Sequence, residues 1–133
     1  MLYAYWLESN SKYGNRVQQI HQTMLQRSDT LCSSLFVLGE LLVGPTKAND
    51  AAAATAIQQF FDSDQITMLP YTPQAVRLFA ELRAHHGVKA LDALHLSIAA
   101  TSGVDLFLTH DRRLHKVVAP GLPFIAGLET DLF

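Results

Sequence analysis

The sequence has few of the features that mark disulfide-bonded, membrane-spanning or secreted proteins. Cys32 is the only cysteine, which excludes a disulfide framework and argues against a zinc cluster built on thiolates. No apolar run approaches the roughly 18 to 20 residues that span a bilayer. The N-terminus also lacks the basic and apolar regions of a signal peptide. We therefore expect a cytoplasmic protein without a membrane segment.

Charge is scarce as well. Only 17% of the residues are charged, whereas globular domains average about 25%. The formal net charge of -2 excludes a global basic surface, so any nucleic-acid contact must come from a local patch such as Arg112, Arg113 and Lys116. Hydrophobic residues make up 49% of the 133 residues. That content and length predict a single domain over residues 1–133 with a real core.

Hydrophobic periodicity and capping residues predict alternating helices and strands. Helices are predicted over 2–9, 15–27, 34–43, 50–62, 72–87 and 91–101, with a short helix or turn over 112–118. Strands are predicted over 30–33, 65–69, 105–109 and 122–126. Ser34 and Thr72 are typical N-cap residues, and Gly44-Pro45 is expected to end its helix. Strands separated by helices are typical of an α/β domain with a mostly parallel sheet.

Three acidic residues lie in apolar surroundings. Glu40 lies within LFVLGELLV, Asp92 within ALDALHL, and Asp111 ends LFLTHD. Carboxylates are rarely buried unless something pairs with them. Ligands of a parallel sheet bind beyond the carboxyl ends of its strands, and we expect the three acids to converge there. Mg2+ or Mn2+ prefers such oxygen ligands, and the chemistry that this suits is metal-assisted hydrolysis of a phosphodiester.

Each of these residues also has a structural interpretation. Asp92 lies in the first turn of a helix, where the helix dipole favours a negative charge, and Asp111 could be a turn acid. Glu40 lies in mid-helix, where the alternative is a salt bridge to an arginine. Thr109 has two interpretations as well. It could orient a metal-bound water or an acid, or it could simply be a β-branched strand residue. A phosphate-receiver domain also gathers acids, but it needs an aspartate at the end of an interior strand, and the strand over 65–69 ends in Leu-Pro.

Three blocks of sequence carry a resemblance to a known family. They are SSLFVLGELLVGP at 33–45, LDALHLSIA at 91–99 and LFLTHDRRL at 106–114, and each contains one of the three acids. In order and spacing the blocks resemble the acidic motifs of the PIN-domain family, and within it the VapC-type toxin ribonucleases of toxin–antitoxin pairs. The likeness extends along nearly the whole chain.

The resemblance implies a three-layer α/β fold, with a mostly parallel central sheet flanked by helices and four strands recognisable in this chain. It implies an endoribonuclease that depends on Mg2+ or Mn2+. Asp92 and Asp111 would hold the metal, Glu40 would bind it or position the attacking water, and Thr109 would assist. The expected partners are an RNA substrate, a cognate antitoxin and a second copy in a homodimer.

The sequence departs from the family pattern at its beginning. The family's first motif is an apolar strand that ends in aspartate and leads directly into the first helix, and LYAYWLE at 2–8 looks like that helix. The strand and its aspartate would then precede Met1, and strands 30–33 and 105–109 would flank an empty slot. Three explanations of the missing strand compete. The start codon is assigned too late and the natural protein carries the strand, or the remaining strands close up or receive one from a partner chain. In the third, the protein is a degenerate relative that binds RNA or protein without cleaving.

Overall fold

The structure is a computed structural model that describes residues 12–117 and 119–133. Its helices are α1 (Gly14–Arg27), α2 (Leu35–Lys47), α3 (Ala51–Asp62), α4 (Pro73–His86), α5 (Ala90–Thr101) and a 3₁₀ helix (Arg112–Lys116). Its strands are β1 (Cys32–Ser33), β2 (Thr67–Met68), β3 (Leu106–Leu108) and β4 (Phe124–Ala126). The helix predicted over 2–9 lies outside the described residues. No helix in the described ranges has the length and apolar content needed to cross a membrane.

The described residues fall into two compact units. The N-terminal unit ends at Met68 and includes Leu132 and Phe133, and the C-terminal unit is Leu69–Asp131. Each unit holds one pair of strands, and the two pairs form separate two-stranded sheets in the described part of the chain. The prediction of a single domain stays a prediction.

Both strand pairs are parallel. β1 pairs with β2, with Cys32 opposite Thr67, and β3 pairs with β4, with Leu106 opposite Phe124. Parallel neighbours need a crossover connection, and α2 with α3 supplies it in the first unit. The predicted α/β class with four strands and parallel pairing is therefore confirmed. Within the described residues, β1 and β3 each have a hydrogen-bonded strand on one side only.

The N-terminal unit is built around the packing of α2 against α3. Leu41, Phe61 and Ile66 form its buried cluster. Ser34 caps α2, since its Oγ accepts a hydrogen bond from the Val37 N–H at 3.4 Å. Such a cap satisfies one of the backbone donors that a helix start leaves open. The cap and the cluster fix α2, the helix that carries the first of the three acids.

The predicted end of this helix at Gly44-Pro45 is wrong, because α2 continues to Lys47 with Pro45 inside it. Proline lacks an N–H donor and removes one helical hydrogen bond. The last turn is nevertheless closed by the Ala48 N–H to the Gly44 carbonyl at 3.0 Å and by the Asp50 N–H to the Pro45 carbonyl at 2.9 Å. A single lost bond near a helix end is thus compensated by the bonds that follow it.

The C-terminal unit is organised around α5. Its core cluster consists of Leu78, Leu82, Val88, Ala93, Leu96, Ala99, Ala100, Leu114, Ala119 and Leu122. Helix α4 begins as predicted, with the Thr72 Oγ1 accepting from the Ala75 N–H at 3.2 Å and Pro73 in the first turn. It ends at Gly87, whose φ of 61° is the left-handed conformation that favours glycine. These signals set the ends of α4, and its Leu78 and Leu82 pack in one cluster with residues of α5, the helix that carries Asp92.

Candidate active site

Helix α5 positions Asp92 in its first turn. The Ala93 N–H donates to the Lys89 carbonyl at 2.8 Å, which closes that turn. Ala93 and Leu96 have no exposed surface, so the helix is fixed against the core. Asp92 itself is half-buried at the helix end where the dipole favours a carboxylate. This placement is compatible with both interpretations of Asp92, as a helix-terminal charge and as a ligand.

The segment after β3 positions Asp111. The Thr109 N–H donates to the Ala126 carbonyl at 2.9 Å, which extends the pairing of β3 with β4 by one residue. The Thr109 Oγ1 then accepts from the Asp111 N–H at 3.1 Å. Asp111 in turn caps the 3₁₀ helix, because its Oδ1 accepts from the Arg113 N–H at 3.0 Å. Asp111 is therefore held just beyond the carboxyl end of a parallel strand, where ligands of such sheets bind.

The guanidinium of Arg113 binds the Asp111 carboxylate through two further hydrogen bonds. Nε donates to Oδ1 at 3.0 Å and Nη2 donates to Oδ2 at 2.7 Å. Paired N–H donors of this kind match the geometry of a carboxylate. The side-chain and backbone hydrogen bonds from Arg113 lower the pKa of Asp111 to about 2, and the charge of Lys89 adds to that lowering.

Asp92 acts on the same guanidinium. The pKa of Arg113 is raised first by its hydrogen bond and charge interaction with Asp111, and further by the negative charge of Asp92. The charges of two of the three acids singled out in the sequence therefore act on the pKa of one cation in the C-terminal unit, and the ion pair with that cation is made by Asp111.

Glu40 lies half-buried on α2 in the N-terminal unit. Asp92 and Asp111 belong to the other unit, so the convergence of all three acids remains a prediction. Among residues 12–117 and 119–133, no group of three or more His, Cys, Asp and Glu side chains could hold a metal ion. The acid pair, Asp92 and Asp111, offers oxygen donors of the kind that a hard divalent cation binds. The Asp111 oxygens, however, already accept hydrogen bonds from Arg113.

Sequence reasoning missed the ion pair between Asp111 and Arg113. It predicted Arg113, together with Arg112 and Lys116, as a phosphate contact. The D-x-R spacing was the available signal, but it is compatible with a solvated pair as well as with the hydrogen bonds seen here. The contact of His115 Nε2 with the Thr109 carbonyl at 3.2 Å was also unforeseen. Both contacts fix the segment that follows β3.

The sequence matches the PIN domain family over residues 4–120. This chain belongs to the PIN-domain family. PIN domains are generally nucleases. None of the curated protein sequences matches this one.

Among solved structures, this PIN domain is similar to a chain of VapBC2 from Rickettsia felis bound to a DNA fragment from their promoter. The TM-score is 0.73 at 16% sequence identity, and the alignment covers 95% of this chain and 92% of that chain. At 16% identity this likeness shows that the two chains share a fold. The family and the fold predicted from the three sequence blocks are therefore confirmed, whereas the roles of Glu40, Asp92, Asp111 and Thr109 stay predictions.

Proposed function

We propose that this PIN domain is a metal-dependent endoribonuclease of the toxin–antitoxin type that hydrolyses RNA phosphodiesters. The observation that carries the proposal is that Asp111 is held just beyond the carboxyl end of β3, in a chain that matches the PIN domain over residues 4–120. Carboxylates such as Asp111 and Asp92 have the charge and the donor oxygens that Mg2+ or Mn2+ requires.

In this proposal Asp92 and Asp111 hold the metal. Glu40 binds it as well or accepts a proton from the attacking water. Thr109 orients Asp111 through the hydrogen bond of its hydroxyl with the Asp111 N–H. The bound ion supplies Lewis-acid stabilisation of the negative charge that develops on the phosphodiester.

The proposed partners are RNA, an antitoxin and a second copy of the chain. Arg112 and Lys116 are exposed on the 3₁₀ helix that follows Asp111, and such side chains bind phosphates without reading sequence. The fold neighbour VapBC2 is a complex that binds promoter DNA, which supports an antitoxin partner. Purification of the chain with the product of an adjacent gene, followed by measurement of the mass of the complex, tests both protein partners.

The experiment that tests the activity is RNA cleavage by the whole chain with Mg2+ or Mn2+, compared with Asp92→Asn. Loss of a metal ligand should lower the rate by at least about a hundredfold, since even residues that only support a ligand cost 10- to 100-fold. Asp105→Asn is the matched control, because Asp105 is an exposed acid of the same unit and we assign it no role. Equal cleavage rates of the parent chain and Asp92→Asn would show that cleavage does not need the Asp92 carboxylate.

The alternative function is a catalytically impaired PIN-like domain that binds RNA or protein. It is favoured by the hydrogen bonds that Arg113 donates to both oxygens of Asp111 and by the lack of a three-member ligand group in the described ranges. A folded chain that binds RNA equally well with and without Mn2+, and does not cleave it, would support this alternative. Metal-dependent cleavage that is lost in Asp92→Asn would exclude it.

A further inference from the structure

The Asp111 carboxylate has little capacity left for another cation. A carboxylate offers about four acceptor positions on its two oxygens. Oδ1 accepts from the backbone N–H and the Nε of Arg113, both at 3.0 Å, and Oδ2 accepts from Nη2 at 2.7 Å. One position on Oδ2 is left, so a metal ion can bind both oxygens of Asp111 only after the guanidinium has moved.

The guanidinium is nevertheless not held in place by packing, because its side chain is mostly exposed. The side chain of Arg113 is 67% exposed, whereas that of Asp111 is 28% exposed. Its withdrawal therefore opens no cavity in the core cluster, which Leu114 enters from the same 3₁₀ helix. The backbone hydrogen bond from the Arg113 N–H to Oδ1 does not depend on the side chain, so Asp111 keeps its place when the guanidinium swings away.

We propose that Arg113 is a built-in competitor of the divalent cation: its guanidinium holds both oxygens of Asp111, and the metal must displace it to bind Asp111 through both of them. This inference rests on the proposed function, since it assigns a regulation to the same acid pair. Metal binding then releases Arg113, and its guanidinium becomes available to an RNA phosphate only in the metal-bound chain.

Removal of the Arg113 charge should strengthen metal binding. A unit positive charge a few ångströms from a divalent ion in a water-like dielectric weakens binding by on the order of tenfold. Arg113→Gln removes this repulsion and the ionic pair together. Arg112→Gln is the matched control, because it removes the same charge from the neighbouring exposed position and leaves the Asp111–Arg113 pair in place.

The test is a titration of the whole chain with Mn2+ in the absence of RNA, followed by electron paramagnetic resonance of the free ion. We expect Arg113→Gln to bind Mn2+ about tenfold more tightly than the parent chain. Arg112→Gln should change the Mn2+ affinity by less than about threefold. Equal gains in both variants would show a general charge effect and overturn the proposal. An unchanged or weaker affinity in Arg113→Gln would overturn it as well.

The titration and the cleavage assay separate this inference from the proposed function. If Arg113→Gln binds Mn2+ more tightly but the parent chain cleaves no RNA, the competition is supported and the ribonuclease function is refuted. If the parent chain cleaves RNA with metal but its Mn2+ affinity equals that of Arg113→Gln, the ribonuclease function is supported and the competition is refuted. Absence of Mn2+ binding in the parent chain and in both variants refutes the competition and the metal dependence together.

Discussion

Two adjacent serines at the junction of β1 and α2 should respond in opposite ways to replacement by alanine. Both are buried, with Ser33 at 7% and Ser34 at 4% of their full exposure. The Ser34 Oγ caps α2 by accepting from the Val37 N–H at 3.4 Å. The Ser33 Oγ is buried and has no hydrogen-bond partner among the described residues. The same chemical change therefore removes a hydrogen bond at one position and a desolvated, unpaired hydroxyl at the next.

The magnitudes follow from these environments. Loss of an N-cap hydroxyl costs about 0.5 to 2 kcal/mol, and the long Ser34 hydrogen bond favours about 1 kcal/mol of destabilisation. A buried hydroxyl without a partner carries a desolvation cost of about 1 to 3 kcal/mol. Ser33→Ala should therefore be neutral or stabilise the chain by up to about 1 kcal/mol. We expect the two variants to differ by about 1 to 2 kcal/mol.

Urea unfolding followed by circular dichroism measures this difference directly, and thermal unfolding should separate the two midpoints by several degrees, since 1 kcal/mol corresponds to about 3 to 6 °C at this size. The double variant serves as a control for coupling between neighbours. Destabilisation of more than about 1 kcal/mol by Ser33→Ala would refute the reasoning, because it would mean that the Ser33 hydroxyl has a stabilising partner.

Two further predictions concern the C-terminal unit. The pKa of Asp111 is about 2 in the folded chain and about 3.9 when unfolded, so its stabilisation is present above pH 4 and is lost as the pH falls toward 2. Carbon-detected NMR titration should show this pKa rising toward its ordinary value in Arg113→Gln, and an unchanged pKa would contradict the assigned cause. Gly121→Ala should cost about 2 kcal/mol or more, because φ is +89° and the added Cβ would lie 2.7 Å from the Ala100 carbonyl oxygen. Gly103→Ala is its control in urea unfolding, with φ +74° and no atom within 4 Å of the added Cβ; equal costs would show that the close approach to Ala100 contributes nothing.

The sequence predicted most of the elements because their boundaries are encoded locally. Thr72, Pro73 and Gly87 define both ends of α4 through a side-chain cap, a fixed φ and a left-handed turn. Each signal is contained within one or two turns of chain. The extent of α2 past Pro45 could not be predicted in this way, because it depends on hydrogen bonds that close only when the following residues adopt their own conformations.

The candidate site was predictable only in part for the same physical reason. The apolar settings of Asp92 and Asp111 identify them as unusual residues, and the end of β3 accounts for the position of Asp111. The bidentate contact of Asp111 with Arg113 depends on the turn after β3, which no local pattern specifies. A short D-x-R motif is compatible with a solvated pair as well as with a grip on both carboxylate oxygens, and only the fold distinguishes the two.

If Arg113 competes with the metal as proposed, the carboxylates available to each cation decide between the two proposed functions. Arg113 is tethered two residues from Asp111, so its local concentration does not change on dilution, whereas a divalent ion binds by mass action. The guanidinium contributes one positive charge and two directed hydrogen bonds, and the metal contributes two charges and a demand for several oxygen ligands. Each additional carboxylate that reaches the metal therefore shifts the balance away from Arg113. A chain that brings further carboxylates to Asp111 favours the metal-bound nuclease, and a chain in which few are available favours the guanidinium and the binding domain.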